Sequence, residues 1–98
     1  MLDHFAGEAL FTSPLAARLD PECGGLVSGK AAIRAYWQAA LDRNPSLHFE
    51  ITSIHAGVDC ILIGFRNERG QDRVEALRFR DGLVFEGHGT FRPSELGA

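Results

Sequence analysis

Apolar and polar residues alternate most regularly between Arg73 and Phe91, RVEALRFRDGLVFEGHGTF. Two such runs around Asp81-Gly82, a dipeptide suited to tight turns, predict a β-hairpin. Register decides which side chains share a face. A strict two-residue loop would pair Phe79 with Val84, Leu77 with Glu86 and Glu75 with His88. A three-residue loop with Gly82 left-handed would pair Phe79 with Leu83, Leu77 with Phe85 and Glu75 with Gly87. The second register gathers Leu77, Phe79, Leu83, Phe85 and Phe91 on one face and leaves Arg78, Arg80, Glu86 and His88 on the other. It is the better match to a half-buried sheet and is the expectation carried forward.

The remaining pattern supplies the other elements. Met1–Ala6 reads as the end of a helix stopped by Gly7, with Leu2, Phe5 and Ala6 as a short apolar stripe. Ala9–Ser13 reads as a short strand broken by Pro14, and Phe11 as a core or pocket residue. Leu15–Val27, punctuated by Asp20-Pro21 and Gly24-Gly25, reads as a loop long enough to be a lid or rim. Ser28 to Asn44 is the clearest helix. Ser28 is its expected N-cap, and Ile33, Tyr36, Trp37, Ala40 and Leu41 form one apolar face before Asn44-Pro45 ends it. His48–Ala56 and Asp59–Asn67 are two further strands around Gly57-Val58, and Arg69-Gly70 turns the chain into the hairpin. The order gives an α+β domain in which helices gather on one face of a curved antiparallel sheet.

The preferred register has a chemical consequence at Glu75. It places this carboxyl on the apolar face, opposite Gly87 and diagonal to Gly89, which have no side chains to fill the space. A carboxylate there loses hydration, its pKa rises, and it becomes a candidate proton donor or acceptor in a dry pocket. The structural alternative is a strand-end Glu75 paired with Arg66, Arg73 or Arg78. Trp37 likewise reads as core packing, unless the core is also the pocket wall.

Composition removes several function classes. At 98 residues the chain is one domain, 1–98, with a single modest core, and its net charge of −3 argues against nucleic-acid or anionic-membrane partners. No apolar run approaches membrane-spanning length. MLDHFAGEAL carries an acid and no basic leader region, so a cytoplasmic location is expected. Cys23 and Cys60 show no zinc-ligand or CxxC spacing and are expected reduced. Gly24–Lys30, GGLVSGK, has phosphate-loop spacing, but Ala31 stands where a magnesium-binding hydroxyl is needed and no buried strand leads into it. His4, His48, His55 and His88 are scattered, and Ser13 lacks a nucleophile-elbow setting. Neither a metal nor a cofactor is expected.

FTSP at Phe11–Pro14, SGKAAIRAYWQAAL at Ser28–Leu41 and VEALRFRDGLV at Val74–Val84 together resemble the SnoaL-like and ketosteroid-isomerase-like branch of the nuclear transport factor 2-like superfamily. The resemblance covers nearly the whole chain. It implies a cone-shaped domain with an apolar pocket, here with the usual N-terminal helix truncated, on a fold that hosts isomerases, polyketide cyclases, dehydratases and epoxide hydrolases. It places Glu75 where ketosteroid isomerases carry an aspartic acid kept protonated by its apolar surroundings in the oxyanion hole. The general-base aspartate falls at or near Ser13, the oxyanion-hole tyrosine belongs to the helix lacking here, and the epoxide hydrolase acid–arginine set is not evident. Steroid isomerisation by that mechanism is therefore not expected. A lacking helix would expose apolar surface, so a homodimer or higher oligomer is expected, a late gene start being the dull alternative. Three readings stay open. The first is an enzyme acting on a small apolar carbonyl or polyketide-like molecule, with Glu75 catalytic and Phe11, Ser13, Leu15, Trp37 and Phe91 lining the pocket. The second is a binder with the same wall and no turnover. The third is a structural or oligomerisation module.

Overall fold

The structure, a computed structural model, describes residues 4–96. The elements run β1 (Phe5–Thr12), α1 (Pro14–Leu19), a 3-10 turn (Pro21–Cys23), β2 (Leu26–Ser28), α2 (Lys30–Arg43), β3 (Glu50–Gly57), β4 (Cys60–Arg66), β5 (Asp72–Arg80), β6 (Leu83–Thr90) and a second 3-10 turn (Pro93–Leu96). The strands make one six-stranded sheet in the order β2-β1-β6-β5-β4-β3. β3 to β6 form the expected antiparallel meander, and β1 joins β6 in parallel and β2 antiparallel. The α+β class with a bent sheet is as the pattern implied, and the open sheet of the cone fold is as the resemblance implied.

The hairpin adopts neither expected register throughout. Asp81 and Gly82 both have positive φ (53° and 79°), the type I′ geometry of a two-residue loop. Arg80 pairs with Leu83 and Phe79 with Val84. A β-bulge then inserts Phe85, after which Leu77 pairs with Gly87 and Glu75 with Gly89. Val84, not Leu83 or Phe85, therefore enters the core, and Phe85 lies outside beneath Arg80 and Arg78, 4.2 and 5.1 Å from their guanidinium carbons. The bulge lets the Asp-Gly dipeptide keep its preferred turn while the bulky inner residues still face inward.

Three other expectations are corrected. Met1–Asp3 of the supposed helix end lie outside the described residues, while Phe5 and Ala6 are strand. Phe5, Ala9 and Phe11 are buried at the two-residue period of a strand. Within the Leu15–Val27 loop lie α1 and β2. Ser13 caps α1 by accepting from the Leu15 amide at 3.1 Å, with Pro14 in the first turn. Ser28 ends β2 and does not cap α2. That cap is Gly29, at φ 90°, which donates its amide to Ala9 O at 2.8 Å and so ties the start of α2 to β1.

Phe5, Ala9, Phe11, Ile33, Leu77 and Val84 form the core, with Val27, Tyr36, Trp37, Ile63 and Phe79 packed against it. α2 lies on β1 and β2, at one end of the sheet. At the other end every residue of β3 is exposed, including Ile51 and Ile54, and Phe49 stands open beside Phe65. No described helix is long and apolar enough to cross a membrane.

Candidate functional site

Partners across a ladder share a face, so Glu75 lies on the concave side, between Ile63 of β4 and Gly89 of β6. Gly89 is opposite it and Gly87 diagonal, the reverse of the expected assignment. The two glycines differ in the room they leave. A Cβ at Gly87 would stand 3.0 Å from Phe11 and 3.1 Å from Leu77, so that space is already filled by core side chains. A Cβ at Gly89 would meet Ser13 Cβ and Oγ at an ordinary 3.6 Å. Ser13 and Glu75 thus flank the same bare stretch of β6.

Ser13 is held there by two donors. It is 7% exposed, and its Oγ accepts from the Leu15 amide at 3.1 Å and from the Tyr36 hydroxyl at 3.0 Å. A serine hydroxyl has two acceptor positions and one proton. With both acceptor positions used, its own proton is left to donate. Tyr36 reaches Ser13 because Ile33, Tyr36 and Trp37 share one face of α2, and its ring tilts against Phe11 at 6.0 Å. Burial is the main cause that raises the Tyr36 phenol above its ordinary pKa. The Ser13 hydrogen bond opposes that rise, and the nearby Glu75 charge adds to it.

Glu75 is half-buried, and burial alone raises its pKa above the usual carboxylate value. The arginine pairing offered as its structural role does not occur. Arg66 pairs with Asp72, Arg73 with Glu95 and Arg78 with Glu86, and Glu75 makes no hydrogen bond or ion pair to any described residue. Its oxygens are not sealed off either: among the described residues the partnerless side-chain oxygen cut off from solvent is Glu68 Oε1. Glu75 is therefore poorly hydrated, unpartnered and reachable.

The other expected wall residues divide. Phe11 is deep core, and Trp37 packs edge-on to Phe5 at 5.5 Å and to Phe11 at 6.1 Å. Leu15 lies half-buried on α1. Phe91 lies against the guanidinium groups of Arg18 and Arg73, outside the apolar group. Tyr36 is the residue that sequence reasoning assigned only to the apolar stripe. Its signal was the hydroxyl, which needs a partner when the ring is buried.

The convex face carries a separate polar row. His88 bridges Thr12 Oγ1 and Glu86 Oε2, both at 2.5 Å, and Glu86 also meets Arg78 at 3.1 Å. His88 is thereby kept away from Glu75, as its outward alternation implied. A groove of about 520 Å³ at the hairpin tips is lined by Val58, Asp59, Arg78 and Phe85 among others. Its nearest residue on β5, Arg78, lies three positions along the strand from Glu75, roughly 10 Å, and on the opposite face, so the groove is a different place. Among the described residues no cluster of three His, Cys, Asp or Glu is placed to hold a metal.

No curated protein matches the chain. A SnoaL-like protein of unknown function from Burkholderia thailandensis superposes with a TM-score of 0.84 at 33% identity, over 92% of this chain and 76% of that one. TerC, crystallised with polyporic acid, superposes with a TM-score of 0.78 at 15% identity, over 98% and 79% of the two chains. A Sinorhizobium meliloti protein assigned by name to the polyketide cyclases gives 0.75 at 17% identity, over 91% and 77%. The last two show the shared fold. The sequence profile of the SnoaL-like domain matches residues 1–90, and with the Burkholderia relative this establishes that the chain belongs to the SnoaL-like domain family.

Proposed function

We propose that the concave face binds a small apolar carbonyl compound and that Glu75, in its protonated form, donates to the carbonyl oxygen. The carrying observation is a carboxyl with a raised pKa and no described partner, reachable from outside and set beside the Tyr36–Ser13 hydrogen bond. Glu75 as an acid and Ser13 through its free proton supply two O–H donors to one oxygen. Charge developing on that oxygen would be stabilised in a site of low hydration. Polyketide cyclase-like or isomerase-like chemistry fits this arrangement, since both work through an enol or enolate oxygen. The co-crystallisation of TerC, which shares this fold, with polyporic acid supports a reading in which the concave face receives a small organic molecule.

The reading is tested by thermal shift with 2-acetylnaphthalene, an apolar aryl ketone, on wild type and Glu75→Gln across pH 5 to 9. Ligand binding to the native state raises the melting temperature by mass action. In wild type that gain should shrink as pH rises through the Glu75 titration, because the donor proton is lost. The Gln variant keeps an N–H donor that does not titrate, so its gain should be flat. Equal gains in both proteins at every pH would remove Glu75 from the site.

A homo-oligomer belongs to the same proposal. β3 is an outer strand of the sheet, eight residues long, with Ile51 and Ile54 exposed and Glu50 its one carboxylate. A long edge with so little charge is a template for another strand. Its self-complementary partner is the same strand of a second copy, related by a two-fold axis.

A further inference from the structure

We propose that Arg18, Arg73 and Phe91 form a binding site for a planar aromatic carboxylate, and that Glu95 fills it in the free protein. The proposal stands apart from the role given to Glu75. Arg18 comes from α1 and Arg73 from the first turn of β5, yet their guanidinium carbons lie 5.0 and 4.1 Å from the centroid of the Phe91 ring. Both are held by Glu95. Its carboxylate oxygens lie 2.6 and 2.7 Å from Arg73 Nη1, and its backbone carbonyl accepts from Arg18 Nη2 at 2.6 Å. A carboxylate, two guanidiniums and an aromatic face are the elements of aromatic-acid recognition. Here the chain itself provides the acid.

The acid is held by a slender device. Glu95 belongs to the single turn Pro93–Leu96, whose own backbone bond runs from the Glu95 amide to Arg92 O, and Leu96 beside it is half exposed. Arg73, by contrast, is fixed. Its side chain is only 10% exposed, and its remaining acceptors, Gln71 Oε1 and Asp72 O, are neutral. If the turn moves away, a poorly hydrated guanidinium is left without a counter-charge, which is costly unless another anion takes the place. The surroundings favour an anion. Arg66 and Arg92 share the single carboxylate of Asp72 at this end of the sheet. The place is also open to solution, because Arg73, Phe91 and Arg92 line a groove of about 250 Å³ together with Asp72, whose carboxylate is taken up by Arg66 and Arg92. An aromatic acid would exchange its carboxylate for that of Glu95 and lay its ring along the guanidinium planes.

The test is calorimetric titration of the full chain with 2-naphthoate and with 2-naphthamide, its neutral isostere. Glu95→Gln, which removes the competing charge and keeps the shape, should bind 2-naphthoate about tenfold more tightly than wild type. 2-Naphthamide should show no such gain. Arg73→Gln should abolish 2-naphthoate binding. Should that variant not fold, Arg18→Gln in the Glu95→Gln background, an exposed change, should take back most of the gain. If Glu95→Gln only lowers the melting temperature without tightening 2-naphthoate, Glu95 is a tail anchor and the proposal is wrong. Equal affinity for the acid and the amide would overturn it as well.

Discussion

Glu75 and Glu86 sit on opposite faces of one hairpin, and their surroundings move their protons in opposite directions. Glu75 is raised by burial, so between the unfolded carboxylate pKa, about 4.3, and its higher folded value the native state holds the extra proton. Stability therefore falls as pH rises through that window and stays reduced above it. Glu86 is lowered, first by its hydrogen bond with His88 and also by Arg78, against a smaller opposing effect of burial. Its contribution is present above the unfolded pKa and is lost as pH falls through the folded one. Denaturation across pH 3 to 8 should thus show Glu75→Gln gaining on wild type toward neutral pH. Glu86→Gln should lose its disadvantage toward acid. The Ser13–Tyr36 pair makes a second prediction. Ser13→Ala removes the α1 cap, worth about 1 kcal/mol, and strands the Tyr36 hydroxyl, at a further ~1–3 kcal/mol. Tyr36→Phe should cost less, about 1 kcal/mol, since Ser13 keeps the Leu15 amide. Chemical denaturation of the two single variants and the double variant, read as a cycle, should return a coupling on the order of 1 kcal/mol. At this scale the sequence made Glu75 legible, because strand alternation and flanking glycines fix its face even when the register slips by two. The place of Tyr36 beside the candidate site was not legible, because its partner, Ser13, lies 23 positions away on another element.

The hairpin is the element on which that register turns. Asp81-Gly82 announced the loop correctly, but the three-residue loop chosen to sort the faces was the wrong remedy. The chain keeps the tight turn and corrects the faces with the bulge at Phe85. No local dipeptide marks that bulge. It results from competition between turn preference and inward burial of Val84 and Leu77, which is settled by tertiary packing. The same strand supplies a paired test of which glycine serves the fold and which the site. Gly87→Ala forces a methyl against Phe11 and Leu77 in the core, so it should cost about 1–3 kcal/mol by overpacking. Gly89→Ala meets Ser13 at an ordinary contact distance and should change stability by less than about 0.5 kcal/mol. It should nevertheless weaken 2-acetylnaphthalene binding, because the methyl occupies the space between Ser13 and Glu75. Thermal denaturation and ligand titration of both variants separate the two roles. Within α1, the Ser13-Pro14 cap and first-turn pair was a readable helix start that the neighbouring Gly and Pro punctuation obscured.

At the scale of the molecule, helices cover the sheet unevenly. The sequence showed correctly that helices and sheet form two layers, but not where along the sheet α2 would lie. That position follows from the Gly29–Ala9 bond and from Ile33 packing with Phe5, Ala9 and Phe11, all contacts between distant segments. Seating α2 on β1 and β2 leaves Phe49, Ile51 and Ile54 facing solvent at the opposite edge, Ile54 at 61% exposure. Aliphatic side chains at an unpaired edge strand carry a cost that the proposed second copy would remove. At about 25 cal/mol per Å² of buried apolar area, even a modest contact offers a favourable term, although association entropy consumes part of it. Sedimentation velocity at micromolar concentration should therefore show a dimer. Ile54→Lys should dissociate it without loss of fold, since Ile54 lies outside the core and a charge at an edge opposes strand pairing. A wild-type monomer over that range would sink the β3 interface. A dimer indifferent to Ile54→Lys would place the contact elsewhere on the sheet.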